Sequence, residues 1–322
     1  MLVSFLIGAI ALGTVLLYGC LGETLMEKAG HLNLGIPGIM CMGTAGGCFG
    51  ASLYMRGLAN ATDAKWLPLL AVSILFSILF AVMTGAIYAF LTVTLRCNQN
   101  ITGLAVTTFG AGLSQFIMDP KYVPRDRFGV ASQLFSKGFV NDPSANGILR
   151  ILFSHGFFVY LAILLALVFT FVLKRTRLGL HLRAVGESPA TADAAGINVT
   201  AYKYGSILVG SAVAGFGGLF YTMDYLKGSW ENASTIESFG WLAIALVIFT
   251  LWRPNISILG SILFGALSIA AFVLGGNSVQ KELLKLLPYV ITVLVLVITS
   301  IRNKRENQPP ASLGLSYFRE DR

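Results

Sequence analysis

The sequence predicts an all-α integral membrane protein, a polytopic bundle of about nine (eight to ten) transmembrane helices with one broken or re-entrant segment. Three observations predict it. Hydrophobic residues make up 55% of the 322 residues and charged ones only 12%, where an average soluble domain is about 25% charged. Mean hydropathy is +0.74. The apolar residues are also gathered into uncharged runs of the length, about 20 residues, that crosses about 30 Å of hydrocarbon as helix.

Those runs are residues 2–21, 36–55, 67–95, 101–118, 156–173, 203–223, 238–252, 256–274 and 286–301. The first lacks a positively charged segment before it, Lys28 being the first basic residue, so it reads as a spanning helix and not as a cleavable targeting signal. The run at 67–95 is long enough to tilt. The run at 101–118 is the most polar, carrying Thr102, Thr107, Thr108, Ser114 and Gln115, and is the one expected to be broken or re-entrant. The chain thus divides into one transmembrane domain over 1–305, an extracytoplasmic loop at 119–155, a cytoplasmic loop at 174–202 and a cytoplasmic tail at 306–322, which is too short and polar to fold alone. Within the outer loop, Asp119-Pro120, Asn141-Asp142-Pro143 and Ser144-Ala145-Asn146-Gly147 read as turns.

Orientation follows from basic residues beside span ends, which favour the cytoplasm. Lys174, Arg175, Arg177 and Arg183 follow the fifth run, and Arg302, Lys304 and Arg305 follow the last. Four spans separate the clusters, so both lie inside, the N-terminus outside and the C-terminus in the cytoplasm. The 119–155 loop opposes this with Lys121, Arg125, Arg127, Lys137 and Arg150, but loops of that length obey the bias less strictly.

The net charge of +8 is spread between apolar runs, without an aromatic-interleaved patch, which excludes a nucleic-acid binder and suits anionic lipid headgroups. Cys20, Cys41, Cys48 and Cys97 show no C-x-x-C spacing and read as small core residues. His31, His155 and His181 are too scattered for a metal site. Glu23, Asp119, Asp224 and Glu237 fall at span ends, where interfacial water would solvate them. Among the 35 glycines, Gly43 to Gly47 and Gly46 to Gly50 have G-x-x-x-G spacing, which reads as close helix packing within one bundle.

The chain carries no Walker A loop, G-x-x-x-x-G-K-[ST], to bind nucleotide phosphates, and almost no titratable group inside a span to couple an ion. A passive channel, a structural subunit and a permease driven by a partner remain. In the 174–202 loop, Ser188 is a good N-cap, Pro189 suits the first helical position and Gly196 suits the stop, which predicts a helix of about two turns. Its alanines leave a slim surface for a partner's groove, or the helix is an ordinary connector. Between the first two runs, Gly30, Gly35, Gly38 and Pro37 interrupt any helix, and Asn33 either faces a pathway or caps the next helix. Asn98, Gln99 and Asn100, with Gln115 beyond them, could bind a hydroxyl-rich or heterocyclic solute, because amides both donate and accept; they also serve as caps.

Three stretches together resemble the permease family of ABC importers for simple sugars, nucleosides and branched-chain amino acids, in particular its nucleoside type. They are Gly22-Glu23 with Glu27-Lys28-Ala29-Gly30, Leu32-Asn33-Leu34-Gly35 and Gly38-Ile39-Met40; Asn98-Gln99 leading to Gly103-Leu104; and Arg183-Ala184-Val185-Gly186-Glu187-Ser188-Pro189 with Ala194-Ala195-Gly196-Ile197. The resemblance implies a permease paired with a second identical or homologous one, two ABC ATPase subunits that bind ATP and magnesium, and an extracytoplasmic solute-binding lipoprotein, at a bacterial plasma membrane. It implies no cofactor in this chain. It also implies that the coupling helix falls on Ser188 to Gly196, with Arg183, Gly186, Glu187, Pro189, Ala192 and Ala195 taking part. One departure is Pro37, where the pattern after Leu34-Gly35-Ile36 is acidic. Two other readings stand beside a nucleoside or sugar importer: a branched-chain amino acid permease, for which charged partners in the path are expected, and a passive channel working without ATP.

Overall fold

The structure, a computed structural model, describes residues 2–138, 147–273, 277–302 and 308–318. Among these the regular structure is helical: α1 (Leu2–Lys28), α2 (Ile36–Arg56), α3 (Trp66–Ala89, prolonged by a π-helical turn over Phe90–Thr94), α4 (Gln99–Ile117), α5 (Phe128–Phe135), α6 (Gly147–Phe153), α7 (Phe157–Arg175), α8 (Arg177–Glu187), α9 (Pro189–Ala194), α10 (Val199–Phe220, prolonged over Tyr221–Tyr225), α11 (Ala233–Phe249), α12 (Pro254–Val273), α13 (Ser278–Lys285) and α14 (Leu287–Arg302). Each apolar run of the sequence lies on one of the longer helices. α1, α2, α3, α7 and α10 are long and apolar enough to cross a membrane by themselves, while α11 and α12 are shorter apolar helices.

The 101–118 run is a continuous helix, α4, where a broken or re-entrant one was expected. Its polar side chains find partners without opening the backbone. Thr108 donates back to the Leu104 carbonyl (3.1 Å) and Thr107 donates across to the Leu34 carbonyl (2.7 Å). The real interruption lies at residues 29–35, between α1 and α2. The turns expected at 141–146 and the basic residues Lys304 and Arg305 lie outside the described residues.

α2 is the axis of the bundle and uses both of its G-x-x-x-G pairs inside it. A Cβ on Gly43 would strike the backbone of Gly215 on α10, and one on Gly47 would meet Leu219; on the other side Gly46 and Gly50 lie against Phe76 of α3. Where lipid offers no hydrophobic drive, backbone approach of this kind supplies the association.

The helices run between two ends. At one end the 29–35 link, the α3–α4 link, α8, α9 and the segment 308–318 meet, through Gly314 N–H to the Gly30 carbonyl (3.2 Å), Ser312 N–H to the Gly186 carbonyl (3.0 Å) and the Gln99 amide to the Leu315 carbonyl (3.3 Å). This is the strapped end. At the other end Arg127 donates to the carbonyls of Met55 (2.7 Å) and Leu58 (2.8 Å).

Two expectations of the sequence are corrected. Glu23 and Asp224 are not at a watery interface: they are 0% and 6% exposed, because α1 and α10 continue past the apolar runs and carry both residues into the packing. Cys20, Cys41 and Cys48 are buried, but Cys97 is exposed on the α3–α4 link.

Candidate functional site

Six residues make a weak helix on their own, since nucleation costs more than one turn returns. α9 is therefore fixed at both ends. Ser188 sits in extended backbone (φ −151°) and its Oγ accepts the Thr191 N–H (3.4 Å); Pro189 takes the first position, where no N–H is required. Gly196 turns left-handed (φ +83°), its N–H reaching the Asp193 carbonyl (2.9 Å) while Ile197 N–H reaches the Ala192 carbonyl (3.0 Å). That pair of bonds closes the helix as a Schellman motif, with Ile197 and Ala192 in apolar contact with Val185 and Val199.

This geometry sorts the residues predicted to couple. Ala195 is exposed, together with Ala190, Thr191 and Ala194, and Arg183 and Glu187 are exposed on α8. Ala192 is not available to a partner: it is 3% exposed and seats α9 on α8 and α10. Gly186 is buried too, with its carbonyl taken by Ser312 and its Cα facing the 28–30 backbone. Packing against Val185 and Val199 turns Ala192 inward and the 28–30 backbone covers Gly186, so their part is to hold α9, and the exposed face is alanine-rich.

The segment 308–318 ties this assembly together. Ala311 N–H reaches Glu187 Oε2 (3.4 Å), Tyr317 donates to Asp193 Oδ2 (2.8 Å), Ser316 donates to the Arg96 carbonyl (3.4 Å), and the Arg96 guanidinium lies over Phe318, 4.8 Å from the ring centre. A tail read as too short to fold alone is thus ordered by docking.

The five amide residues do not converge. Asn33 is 0% exposed, its Oδ1 accepting Gly35 N–H (2.9 Å) and its amide nitrogen facing Met26 Sδ (3.1 Å). Gln99 is buried between Leu32 N–H (2.9 Å) and Leu315. Asn98 is exposed and caps α4 through Asn100 N–H (3.0 Å) and Ile101 N–H (3.1 Å), and Asn100 is exposed beside it. Gln115 lies at the far end, accepting Ala233 N–H (3.1 Å). Amides serve backbone groups at each of these places except Asn100.

What the sequence reasoning missed is a pair of buried acids one turn apart on α1. Glu23 Oε1 accepts Asn33 N–H (2.9 Å), and Glu27 Oε2 accepts the Trp252 indole N–H. Trp252 and Leu251 hold left-handed backbone (φ 54° and 55°), a conformation that costs a non-glycine residue about 1 kcal/mol or more. The i, i+4 spacing of Glu23 and Glu27 was the available signal. Next to them His31 is buried edge-on to Tyr88, both ring nitrogens without a partner among the described residues, and burial, then the charge of Lys203, holds its pKa well below the ordinary value. Its imidazole is therefore neutral at pH 7.

The family model for the permease component of the branched-chain amino acid transport system matches residues 5–296. This chain belongs to that permease family. The permease is 31% identical over 296 residues to the nucleoside ABC transporter permease protein NupC of Lactococcus lactis, covering 88% of each chain. It is 27% identical over 295 residues to the guanosine ABC transporter permease protein NupQ of Bacillus subtilis, covering 87% of each. A provisionally named glucose ABC transporter permease protein, TsgC13 of Haloferax volcanii, is 32% identical over 331 residues, 95% of each. A solved ABC transporter in an inward-facing conformation aligns at 15% identity with a TM-score of 0.46, over 92% of this chain and 86% of the other. The family match and these relatives make the permease an integral membrane component of an ABC transporter.

Proposed function

We propose that the permease imports a nucleoside, or a simple sugar, by alternating access, driven by ATP that two partner ATPases hydrolyse with magnesium. The partners would be those ATPases, a second identical or homologous permease, and an extracytoplasmic solute-binding lipoprotein. The strapped end faces the cytoplasm, with the N-terminus outside and the C-terminus inside. The crowding of Lys174, Arg175, Arg177 and Arg183 at the α7–α8 junction supports this orientation.

The observation that carries the coupling reading is α9: a short helix rigidly capped at both ends, seated by Ala192, with an alanine-rich face left exposed. Such a face fits a partner's groove because small side chains allow close approach. The nucleoside preference rests on the names of the similar permeases, and the branched-chain amino acid reading on the family's description.

The test joins two measurements. Native complexes pulled down through wild-type permease, Ala190→Arg and Ala195→Arg are compared for a co-purifying ATPase, expected with wild type and lost from both variants. Uptake of labelled guanosine by cells carrying the complex is then challenged with unlabelled nucleosides, glucose and leucine. Competition by leucine alone would replace the substrate class, and uptake that persists without ATP would make the protein a channel.

A further inference from the structure

At the strapped end a cavity of about 460 Å3 lies between the end of α3 and the start of α10, with α9 and the 308–318 segment completing its wall. Lys203, one turn into α10, borders it. The residue is 3% exposed, and its ammonium makes no hydrogen bond or ion pair among the described residues. An ammonium largely withdrawn from water without a counter-charge is unfavourable. Lys203 therefore offers the cavity a positive charge that no side chain among the described residues pairs.

The backbone beside it is arranged for an anion. Asn198 Oδ1 accepts the Ala201 N–H (3.0 Å), but the N–H groups of Val199 and Thr200, both at the cavity, have no acceptor among the described residues. They open the N-terminus of a helix of 22 residues, where the aligned peptide dipoles favour negative charge. Arg96 adds a second cation to the wall. The one carboxylate there, Asp193, already accepts the Tyr317 hydroxyl (2.8 Å). Arg96 is engaged over Phe318 and Asp193 with Tyr317, so the groups left to an anion are the Lys203 ammonium and the two N–H groups, and the wall is mainly polar.

We propose that this cavity binds a phosphate-bearing anion, whose oxygens receive the Lys203 ammonium and the N–H groups of Val199 and Thr200. Its walls include Asp193 and Gly196 from α9 and its cap, and Tyr317 from the docked tail, so the bound anion braces the junction through which α9 meets α10. The phosphate belongs either to a soluble cytoplasmic compound or to the headgroup of an anionic lipid; both present the same oxygens.

The experiment uses the full chain in nanodiscs. In neutral phosphatidylcholine discs, radiolabelled inorganic phosphate is titrated by equilibrium dialysis. In discs containing phosphatidylglycerol, native mass spectrometry counts retained anionic lipid. Wild type is compared with Lys203→Met and with Thr200→Glu, which sets a negative charge at the cavity mouth on an exposed position of the first turn, where an acid suits the helix and folding is preserved. Phosphate bound in neutral discs and weakened at least about tenfold in both variants, the loss of one charge-assisted contact, supports the site with a soluble ligand. Lipid retained by wild type and lost from Thr200→Glu supports it with a headgroup. If wild type holds neither, or if Thr200→Glu binds as wild type does while eluting as a folded monodisperse protein, the proposal is wrong.

Discussion

α9 and the 29–35 link sit side by side at the strapped end, yet they are held by opposite means. α9 carries its own instructions: its cap residues, Ser188 and Gly196, bond to neighbours within a few positions, and Ala192, Ile197 and the Tyr317–Asp193 hydrogen bond anchor it to the rest. The link is non-helical and buried, and key backbone groups in it are satisfied from elsewhere, the Leu32 N–H by Gln99, the Asn33 N–H by Glu23, and the Leu34 carbonyl by Thr107. A buried backbone without its own helix has to be paid for by side chains on other elements. The link is therefore a structural keystone, and α9 is a mounted surface whose exposed positions are free to serve a partner. Substitutions should separate the two.

The largest effect is expected in the link. Asn33→Leu removes the acceptor for Gly35 N–H and leaves that donor buried, while its branched side chain has to enter a fully packed space. A loss of about 2–4 kcal/mol is expected, read as a lower unfolding temperature and poor recovery of monodisperse protein in detergent. Unchanged thermal stability would mean that the link is not the keystone. Next comes Ala195→Arg on α9, for which stability stays within about 0.5 kcal/mol of wild type while the co-purifying ATPase disappears. A variant that unfolds, or keeps its ATPase, erases the contrast from the other side. Ser188→Ala lies between the regions in kind but is smaller in size. Losing the N-cap costs about 1 kcal/mol, local to α9, and should appear as faster hydrogen exchange over Pro189–Ala194 with no change in the link.

The same contrast explains what could be read in advance. The spans are visible as apolar runs because hydrocarbon imposes length and composition on each segment separately, and the ends of α9 are visible because Ser-Pro and Gly act on their immediate neighbours. The face of α9 was not visible: a six-residue helix has too few turns for periodicity to tell Ala192 from Ala195, and the choice is made by Val185 and Val199 on other helices. The amides were ambiguous for a related reason. An Asn or Gln has the same chemistry whether it meets a solute or a carbonyl, and Gln99 is assigned to the link only by Leu32 and Leu315, far away in sequence. Docking of the tail rests largely on backbone groups of Ser312 and Gly314, which carry no sequence signature. The burial of Glu23 and Glu27 followed from how far α1 extends, and apolarity alone stopped that helix too early.

The smallest effect sharpens the account of the link through its pH dependence. His31 is held neutral in the fold, its pKa lowered well below the ordinary value of about 6.5 by burial first and by the Lys203 charge second. The unfolded chain therefore binds a proton on His31 that the folded protein does not, and linkage makes stability fall as pH drops below about 6.5, with a slope of at most about 1.4 kcal/mol per pH unit from this residue. Stability from this source is complete above that value. His155, whose pKa is also lowered by burial, adds a slope of the same sign, so the contribution of His31 is the difference between two proteins. His31→Phe keeps a ring against Tyr88 and gives up no hydrogen bond, because neither imidazole nitrogen has a partner among the described residues. Thermal unfolding of wild type and His31→Phe at pH 7.5 and 5.5 should show the variant losing less stability on acidification. Parallel losses would mean that His31 is reached by water and protons in the folded state, and that the link is more open than its packing indicates.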